Sequence, residues 1–128
     1  MSATEYLVDT NILIYHTQGL PTTVGFISDL VSQHALNISI LTKIEFLGWD
    51  KHTPDGYEKC RLLIEFANTY PVDENIADKA IELRRVTNMK LADAVIAATA
   101  MLKNLKLATR NMDDFKTIAG LDIIDPIG

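Results

Sequence analysis

Three stretches of this chain carry acidic side chains at positions where a folded domain would bring them together. Asp9 directly follows the apolar run Tyr6–Val8, and Asp93 lies in the first turn of an almost wholly apolar helical segment. A third stretch, residues 109–115, places two adjacent carboxylates after another apolar run. Carboxylate oxygens are ligands that hard cations such as Mg²⁺ prefer. If these stretches meet in the fold, they can form a divalent-cation site.

Glu45 is a further candidate, because it interrupts apolar neighbours inside a helical pattern and must face either solvent or a cleft. Each acid also has a simpler interpretation. Asp9 or Thr10 suits a helix cap, Asp93 suits the positive end of a helix dipole, and residues 109–115 suit a turn. A shared site is favoured because the acids come from separate elements, and three of them fall at strand ends or a helix start. Parallel sheets place their ligand crevices at those positions.

Five short apolar runs predict the strands that would position these residues. Runs this short, bounded by polar residues, are typical of strands buried on both faces. They are Tyr6–Val8, Leu36–Ser39, Thr69–Val72, Leu105–Ala108 and Ile123–Ile124.

Helical patterns separate the strands. In the helix expected from Pro54 to about Ala67, the spacing puts Leu62, Leu63 and Phe66 on the buried side. Buried strands that alternate with helices predict an α/β fold of three layers around a parallel, doubly wound sheet, as a single domain over residues 1–128. The helices are expected from Ile12, from Thr22 or Thr23 to Val31, from Thr42 to Trp49, from Pro54 to about Ala67, from Ile76 to Val86 after the cap Asp73, from Leu91 to Lys103, and at Phe115–Ile118.

The composition limits the kind of site. The net charge of −5 argues against a domain that binds nucleic acid by charge alone. An acidic cluster can still meet phosphate through a bound cation, which reverses the local sign of charge. The single cysteine, Cys60, excludes a cysteine-cluster metal site and is expected in the core, while His16, His34 and His52 lack ligand spacing and are expected at the surface or in loops.

Membrane and secretion signals are not apparent in the sequence. No segment approaches the roughly 20 apolar residues of a membrane span, and Met1 to Glu5 lack the basic start and apolar run of a signal peptide. We therefore expect a cytoplasmic protein.

Four segments, taken together and in order, resemble PIN-domain nucleases, and most of all the VapC-type toxins of bacterial toxin–antitoxin pairs. The Asp-Thr-Asn triplet is weak by itself, but it becomes specific when a LADAVIAATA helix and a TRNMDDF loop follow it. The resemblance runs from Tyr6 to about Leu121. The segments are Leu7–Asn11, Leu41–Leu47, Lys90–Ala100 and Thr109–Phe115.

The resemblance implies a strand order of 3-2-1-4-5, which places the first and fourth strands side by side. It also implies endoribonuclease activity on structured RNA, a homodimer, and inhibition by an antitoxin that inserts a segment at the active site. Asp9, Glu45 and Asp93 carry over as catalytic residues. The fourth acid is expected at Asp114, although Asn111 stands where some relatives carry Asp, and Asp113 is an alternative for the same role.

A mechanism follows from these assignments. Asp9 and Asp93 are expected to bind Mg²⁺ or Mn²⁺ directly, and Glu45 and Asp114 directly or through water. Other polar residues of the motifs are expected to orient water or phosphate, and nearby basic residues are either contacts for RNA or solvated charges. The polar residues are Thr10, Asn11, Thr109 and Asn111, and the basic ones are Lys43, Arg84, Arg85, Lys90 and Arg110.

Two other classes of protein also build an acidic, cation-binding pocket on such a sheet, but this sequence lacks residues that they need. A receiver-like phosphoacceptor domain needs an early Asp-Asp pair and a late lysine, and neither is present, since Arg110 follows Thr109. A haloacid-type phosphatase needs a second Asp where Asn11 stands. A third alternative is an interaction protein that keeps the PIN fold without catalytic activity, and the sequence does not exclude it.

Overall fold

Short parallel strands joined by helices form the framework of the protein, whose computed structural model describes residues 5–128. The strands are β1 (Tyr6–Val8), β2 (Asn37–Ser39), β3 (Asn68–Tyr70), β4 (Lys106–Ala108) and β5 (Ile123–Ile124). The helices are α1 (Thr10–Thr17), α2 (Pro21–Ser32), α3 (Ile40–Leu47), α4 (Pro54–Glu65), α5 (Glu74–Val86), α6 (Leu91–Leu102) and α7 (Met112–Phe115).

All strand pairs of the sheet are parallel, and their order is β3-β2-β1-β4-β5. This confirms the fold class and the strand order. Val8 pairs in register with Ala108, and the backbone N–H of Asp9 donates to the carbonyl of Ala108 at 2.9 Å. Asp9 and Thr109 therefore leave the same edge of the sheet on neighbouring strands.

The sheet separates two hydrophobic cores. Because successive side chains of a strand point to opposite faces, Leu7 contributes to one core and Val8 to the other. The Leu7 core is formed with α5, α6 and α7, and the Val8 core with α1 to α4. Every residue of α6 from Ala94 to Ala100 is buried, which confirms the prediction of a central helix whose first turn carries Asp93.

Several predicted element boundaries were wrong, each for a local reason. Helix α3 begins at Ile40 because Ser39, at the end of β2, caps it: the Ser39 hydroxyl accepts a hydrogen bond from the backbone N–H of Leu41 at 3.1 Å. Helix α2 begins at Pro21 rather than after a threonine cap, since a first-turn proline lacks only an N–H that the helix does not use. The last helical turn ends at Phe115 instead of beginning there.

The predicted buried side of α4 was wrong for Leu62 and Phe66, whereas Leu63 is partly buried against the core as predicted. Leu62 and Phe66 are 48% and 62% exposed, whereas Cys60 and Ile64, one turn apart, face the core. The prediction for Cys60 is thereby confirmed. The helix is rotated so that this pair, and not the Leu62–Phe66 pair, packs beneath α3.

The histidines follow their predictions only in part. His34 is exposed at a turn with a φ of 54°, and His52 lies in the α3–α4 connection with Nε2 2.6 Å from the carbonyl oxygen of Phe46. His16 instead lies half-buried within α1, where its Nδ1 is buried and has no hydrogen-bond partner among residues 5–128. Within the same range, no helix has the length and apolar character needed to cross a membrane.

Candidate active site

Asp9 is the most enclosed of the predicted acids, with 4% of its surface exposed. It occupies the N-cap of α1, and its Oδ1 accepts a hydrogen bond from the backbone N–H of Thr10 at 2.8 Å. The capping interpretation is therefore correct, but it accounts for one oxygen only. Oδ2 accepts from the hydroxyl of Thr109 at 2.8 Å and from the side-chain amide of Asn11 at 3.1 Å.

Asn11 ties the two neighbouring strand ends together. Its Oδ1 accepts a hydrogen bond from the backbone N–H of Arg110 at 3.0 Å. Because that contact requires the oxygen, the Nδ2 group must face the other way, where it donates to Asp9 and lies 3.4 Å from the hydroxyl of Thr109. The amide thus fixes the β1–α1 connection against the β4–α7 connection.

Thr109 is fully buried and serves both as donor and as acceptor. It donates to Asp9, and its hydroxyl accepts from the backbone N–H of Asn111 at 3.0 Å. Asn111 thus enters the network through its backbone, and its side chain is exposed without a capping hydrogen bond.

These surroundings raise the pKa of Asp9 to about 6. Burial is the main cause, because it disfavours the charged carboxylate. The hydrogen bonds from Thr109 and Thr10 act in the opposite direction, and the negative charges of Asp93 and Glu45 add to the increase. The hydrogen bonds therefore stabilise the charged form of Asp9, whereas burial and the neighbouring negative charges destabilise it, and the destabilising effects are larger.

Asp93 lies half-buried in the first turn of α6, and its pKa is raised as well. Burial is again the first cause, followed by the charges of Asp114 and Glu45, while Lys90 acts in the opposite direction. The negative charges of Asp93 and Glu45 thus raise the pKa of Asp9, and those of Asp114 and Glu45 raise the pKa of Asp93. The fold brings all of the predicted acids into one electrostatic neighbourhood at the carboxyl ends of β1 and β4.

Glu45 is exposed on α3 and is oriented by a contact from α1. The hydroxyl of Thr10 donates to its Oε1 at 2.7 Å. The same hydroxyl lies 3.4 Å from that of Thr42, which is fully buried one helical turn before Glu45. Sequence analysis missed Thr42, although a threonine three residues before an acid on the same helix shares its face.

The choice of the fourth acid is narrowed by the contacts of Asp113. Its carboxylate accepts from Lys116 at 2.8 Å, which lowers its pKa, and both side chains are exposed. Asp114 is the acid whose charge acts on Asp93. The arrangement favours Asp114 over Asp113 as the member of the acidic group.

The donor set suits a hard divalent cation in its chemistry. All the acidic groups offer oxygen, and their mutual repulsion would be relieved by positive charge between them. Among residues 5–128, no three His, Cys, Asp or Glu side chains already meet as a ligand cluster. Because Mg²⁺ usually keeps several waters, one or two direct carboxylates are sufficient to hold it.

A cavity of about 600 Å³ lies elsewhere, between the end of α6 and the start of β4 and β5, and is lined by residues such as Lys103, Lys106 and Asp122. It contains none of the predicted site residues. The candidate site therefore lies away from this cavity, at the carboxyl end of the sheet.

Comparison with known proteins identifies the family of this chain. The sequence profile described as PIN domain matches residues 6–121. The chain belongs to the PIN-domain family. It is 34% identical over 114 residues to Ribonuclease VapC10 of Mycobacterium tuberculosis, an alignment that covers 85% of this chain and 84% of the relative. The predicted likeness to VapC-type PIN proteins is confirmed, and the receiver-like and phosphatase alternatives are set aside.

Solved structures share this fold. A toxin–antitoxin complex from Klebsiella pneumoniae superposes with a TM-score of 0.77 at 31% identity, covering 95% of this chain and 98% of that one. VapBC2 from Rickettsia felis, bound to a DNA fragment from its promoter, superposes with a TM-score of 0.81 at 20% identity, covering 94% and 98%. At that lower identity the second likeness concerns the fold alone.

Proposed function

We propose that this PIN-domain chain is a metal-dependent endoribonuclease, the toxin of a VapBC-type pair, which hydrolyses phosphodiester bonds of structured RNA. The observation that carries the proposal is the buried, hydrogen-bonded Asp9 beside Asp93, at the edge where two parallel strands end. Such a position is where a parallel sheet places its ligand crevice. The 34% identity to a ribonuclease supports the choice of RNA as substrate.

In this proposal Asp9 and Asp93 hold Mg²⁺ or Mn²⁺, and Glu45 and Asp114 contribute directly or through water. When bound, such a cation neutralises charge on the phosphate and makes water a stronger nucleophile at neutral pH. Thr109 and Asn11 keep the Asp9 carboxylate in one orientation, and Thr10 does the same for Glu45. Fixed ligands need not reorganise during the reaction, which favours the transition state.

A protein partner and self-association belong to the same proposal. Four large apolar side chains are 48% exposed or more: Leu62 and Phe66 on α4, and Val86 and Leu91 around the α5–α6 turn. Exposed apolar groups of this kind support contact with other proteins. We propose an antitoxin as one partner, as in the toxin–antitoxin complexes of similar fold, together with a homodimer and a cytoplasmic location where RNA is available.

The test is to incubate the purified chain with total RNA, with Mg²⁺ or with EDTA. We expect strand scission with Mg²⁺ only, and none from Asp93→Asn. Asp29→Asn, which changes an exposed carboxylate on α2, is the matched control and should cleave as the parent does. Undiminished cleavage by Asp93→Asn would contradict the site assignment, and no scission by the parent would favour a non-catalytic PIN-fold protein.

A further inference from the structure

Arg110 occupies an unusual position beside the acidic group. It directly follows Thr109, and its backbone N–H is bound by Asn11. Its guanidinium carbon lies 5.4 Å from the centroid of the Tyr15 ring, and its Nη1 lies 3.7 Å from Oδ2 of Asp125. The backbone of Arg110 is therefore bound by Asn11, and its guanidinium lies near both Tyr15 and Asp125, although the side chain is partly exposed.

Helix α1 provides two of these contacts from one face. Asn11 and Tyr15 are four residues apart, so they lie one above the other, about 5.4 Å along the axis. Asn11 binds the backbone of Arg110 while Tyr15 lies against its guanidinium. The guanidinium thus lies over a residue that is one helical turn from Asn11, which contacts Asp9.

The hydrogen-bonding capacity of this guanidinium is unused. An N···O separation of 3.7 Å is an ion pair, but it is too long for a hydrogen bond. Within residues 5–128 no acceptor lies at hydrogen-bond distance from the guanidinium of Arg110. The cation–π contact with Tyr15 leaves N–H groups of the guanidinium able to bind an oxyanion such as phosphate in a bidentate manner.

Asp125 is positioned by contacts of its own. Its Oδ1 accepts from the backbone N–H groups of Ile127 and Gly128 at 3.0 and 3.3 Å. Only its other oxygen faces Arg110, at the long distance given above. A phosphate that forms short, bidentate hydrogen bonds can displace this weak interaction.

We propose that Arg110 binds an RNA phosphate next to the scissile one, with Tyr15 orienting its guanidinium and Asp125 competing for it. The inference rests on the proposed ribonuclease function. The four carboxylates and the net charge of −5 repel an approaching RNA strand. Phosphates that do not contact the cation therefore need positive charge from the protein itself. Arg110 provides that charge from a position that Tyr15 restrains, so it loses less side-chain entropy on binding than an arginine without such a contact.

The chain offers a matched control for this arrangement. Lys103 also lies over an aromatic ring, with its Nζ 5.8 Å from the centroid of Tyr70. It is the C-cap of α6, whereas Asp93 is in the first turn of the same helix. Lys103→Ala therefore removes one positive charge and one cation–π contact at a distance from the candidate site.

The test is RNA binding as a function of salt, measured with a short fluorescein-labelled single-stranded RNA and Mg²⁺ in an Asp93→Asn background that does not cleave. For Arg110→Ala we expect weaker binding and a slope of log K against log salt that is smaller by about 0.7, the contribution of one phosphate contact. Arg110→Lys should retain the slope. Lys103→Ala should leave both affinity and slope nearly unchanged.

The neighbours of Arg110 sharpen the test. Tyr15→Leu should weaken binding while Tyr15→Phe, which keeps the ring, should not. Asp125→Asn keeps an oxygen for the two backbone N–H groups but removes the competing charge, so it should tighten binding. Equal slopes for Arg110→Ala and Lys103→Ala, or weaker binding by Asp125→Asn, would overturn the inference.

Failure of this inference can be told apart from failure of the proposed function. If the parent chain cleaves RNA with Mg²⁺ while Arg110→Ala matches Lys103→Ala, only the role of Arg110 is wrong. If the parent neither binds nor cleaves RNA, the ribonuclease proposal fails, and the role of Arg110 fails with it. Thermal melting of each variant confirms that the comparison is made between folded proteins.

Discussion

Asp9 and Asp114 follow neighbouring strands but have opposite surroundings. Asp9 is buried, accepts three hydrogen bonds and has a raised pKa, whereas Asp114 is exposed on a four-residue helix. Asp93 is intermediate, being half-buried, and Glu45 is exposed but accepts a hydrogen bond from Thr10. The difference indicates that the fold fixes Asp9 before any ligand binds and leaves the exposed Asp114 free to adjust.

The largest effect on cleavage is expected from a substitution of the buried Asp9. Asp9→Asn should reduce cleavage by about 10³-fold, on the scale of removing one electrostatic group from an active site. The same substitution should increase the free energy of unfolding at pH 8 without cation by about 1–3 kcal/mol, because it removes a buried charge. Urea unfolding and RNA cleavage are the two measurements. A variant that is both stable and fully active would show that Asp9 only caps α1.

The pH dependence of stability should follow the same residue. The folded-state pKa of Asp9 is about 6, above the ordinary value of 3.8, so its contribution is intact below pH 4 and is lost as the pH rises through 6. The total loss is about 3 kcal/mol at 1.36 kcal/mol per pKa unit, and Asp93 acts in the same direction. Mg²⁺ should therefore raise the melting temperature at pH 8 and have little effect at pH 4, and an equal effect at both would contradict this.

A smaller effect is expected from the residue that orients Asp9. Thr109→Val keeps the shape of the side chain but removes the hydroxyl, so the pKa of Asp9 should rise further. We expect a loss of stability of about 1–3 kcal/mol and a 10- to 100-fold loss of cleavage, as for groups that orient metal ligands. Thr109→Ser restores the donor and should recover most of the activity. If serine and valine behave alike, the hydroxyl has no role.

The smallest effect on cleavage should come from substitutions of the exposed acids Asp114 and Asp113. Asp114→Asn should lower cleavage by less than about 10-fold, since an exposed ligand can be replaced by water. Asp113→Asn should change it least, because that carboxylate is paired with Lys116. Parallel cleavage assays of the two variants compare them directly. A larger loss for Asp113→Asn than for Asp114→Asn would reverse the assignment of the fourth acid.

The sequence predicts the sheet and the positions of the acids well because both depend on local pattern. Short buried strands and an apolar α6 leave few places for Asp9 and Asp93. The amide of Asn11 is different, because its partner Arg110 is 99 residues away and nothing near Asn11 indicates it. Helix rotation is also beyond local pattern, since Cys60 and Leu62 lie on different apolar stripes of α4 and only packing against α3 decides which stripe is buried.

The hydrogen bond between Thr109 and Asp9 joins residues that are 100 positions apart in the chain. During synthesis, the segment that carries Asp9 leaves the ribosome long before β4 has been made, at about 5–20 residues per second. Pairing of β4 with β1 closes a long loop, which is a slow step in folding. A growing chain therefore lacks the assembled group until β4 has been made and has paired with β1, and nuclease activity should appear abruptly at that point rather than increase with chain length.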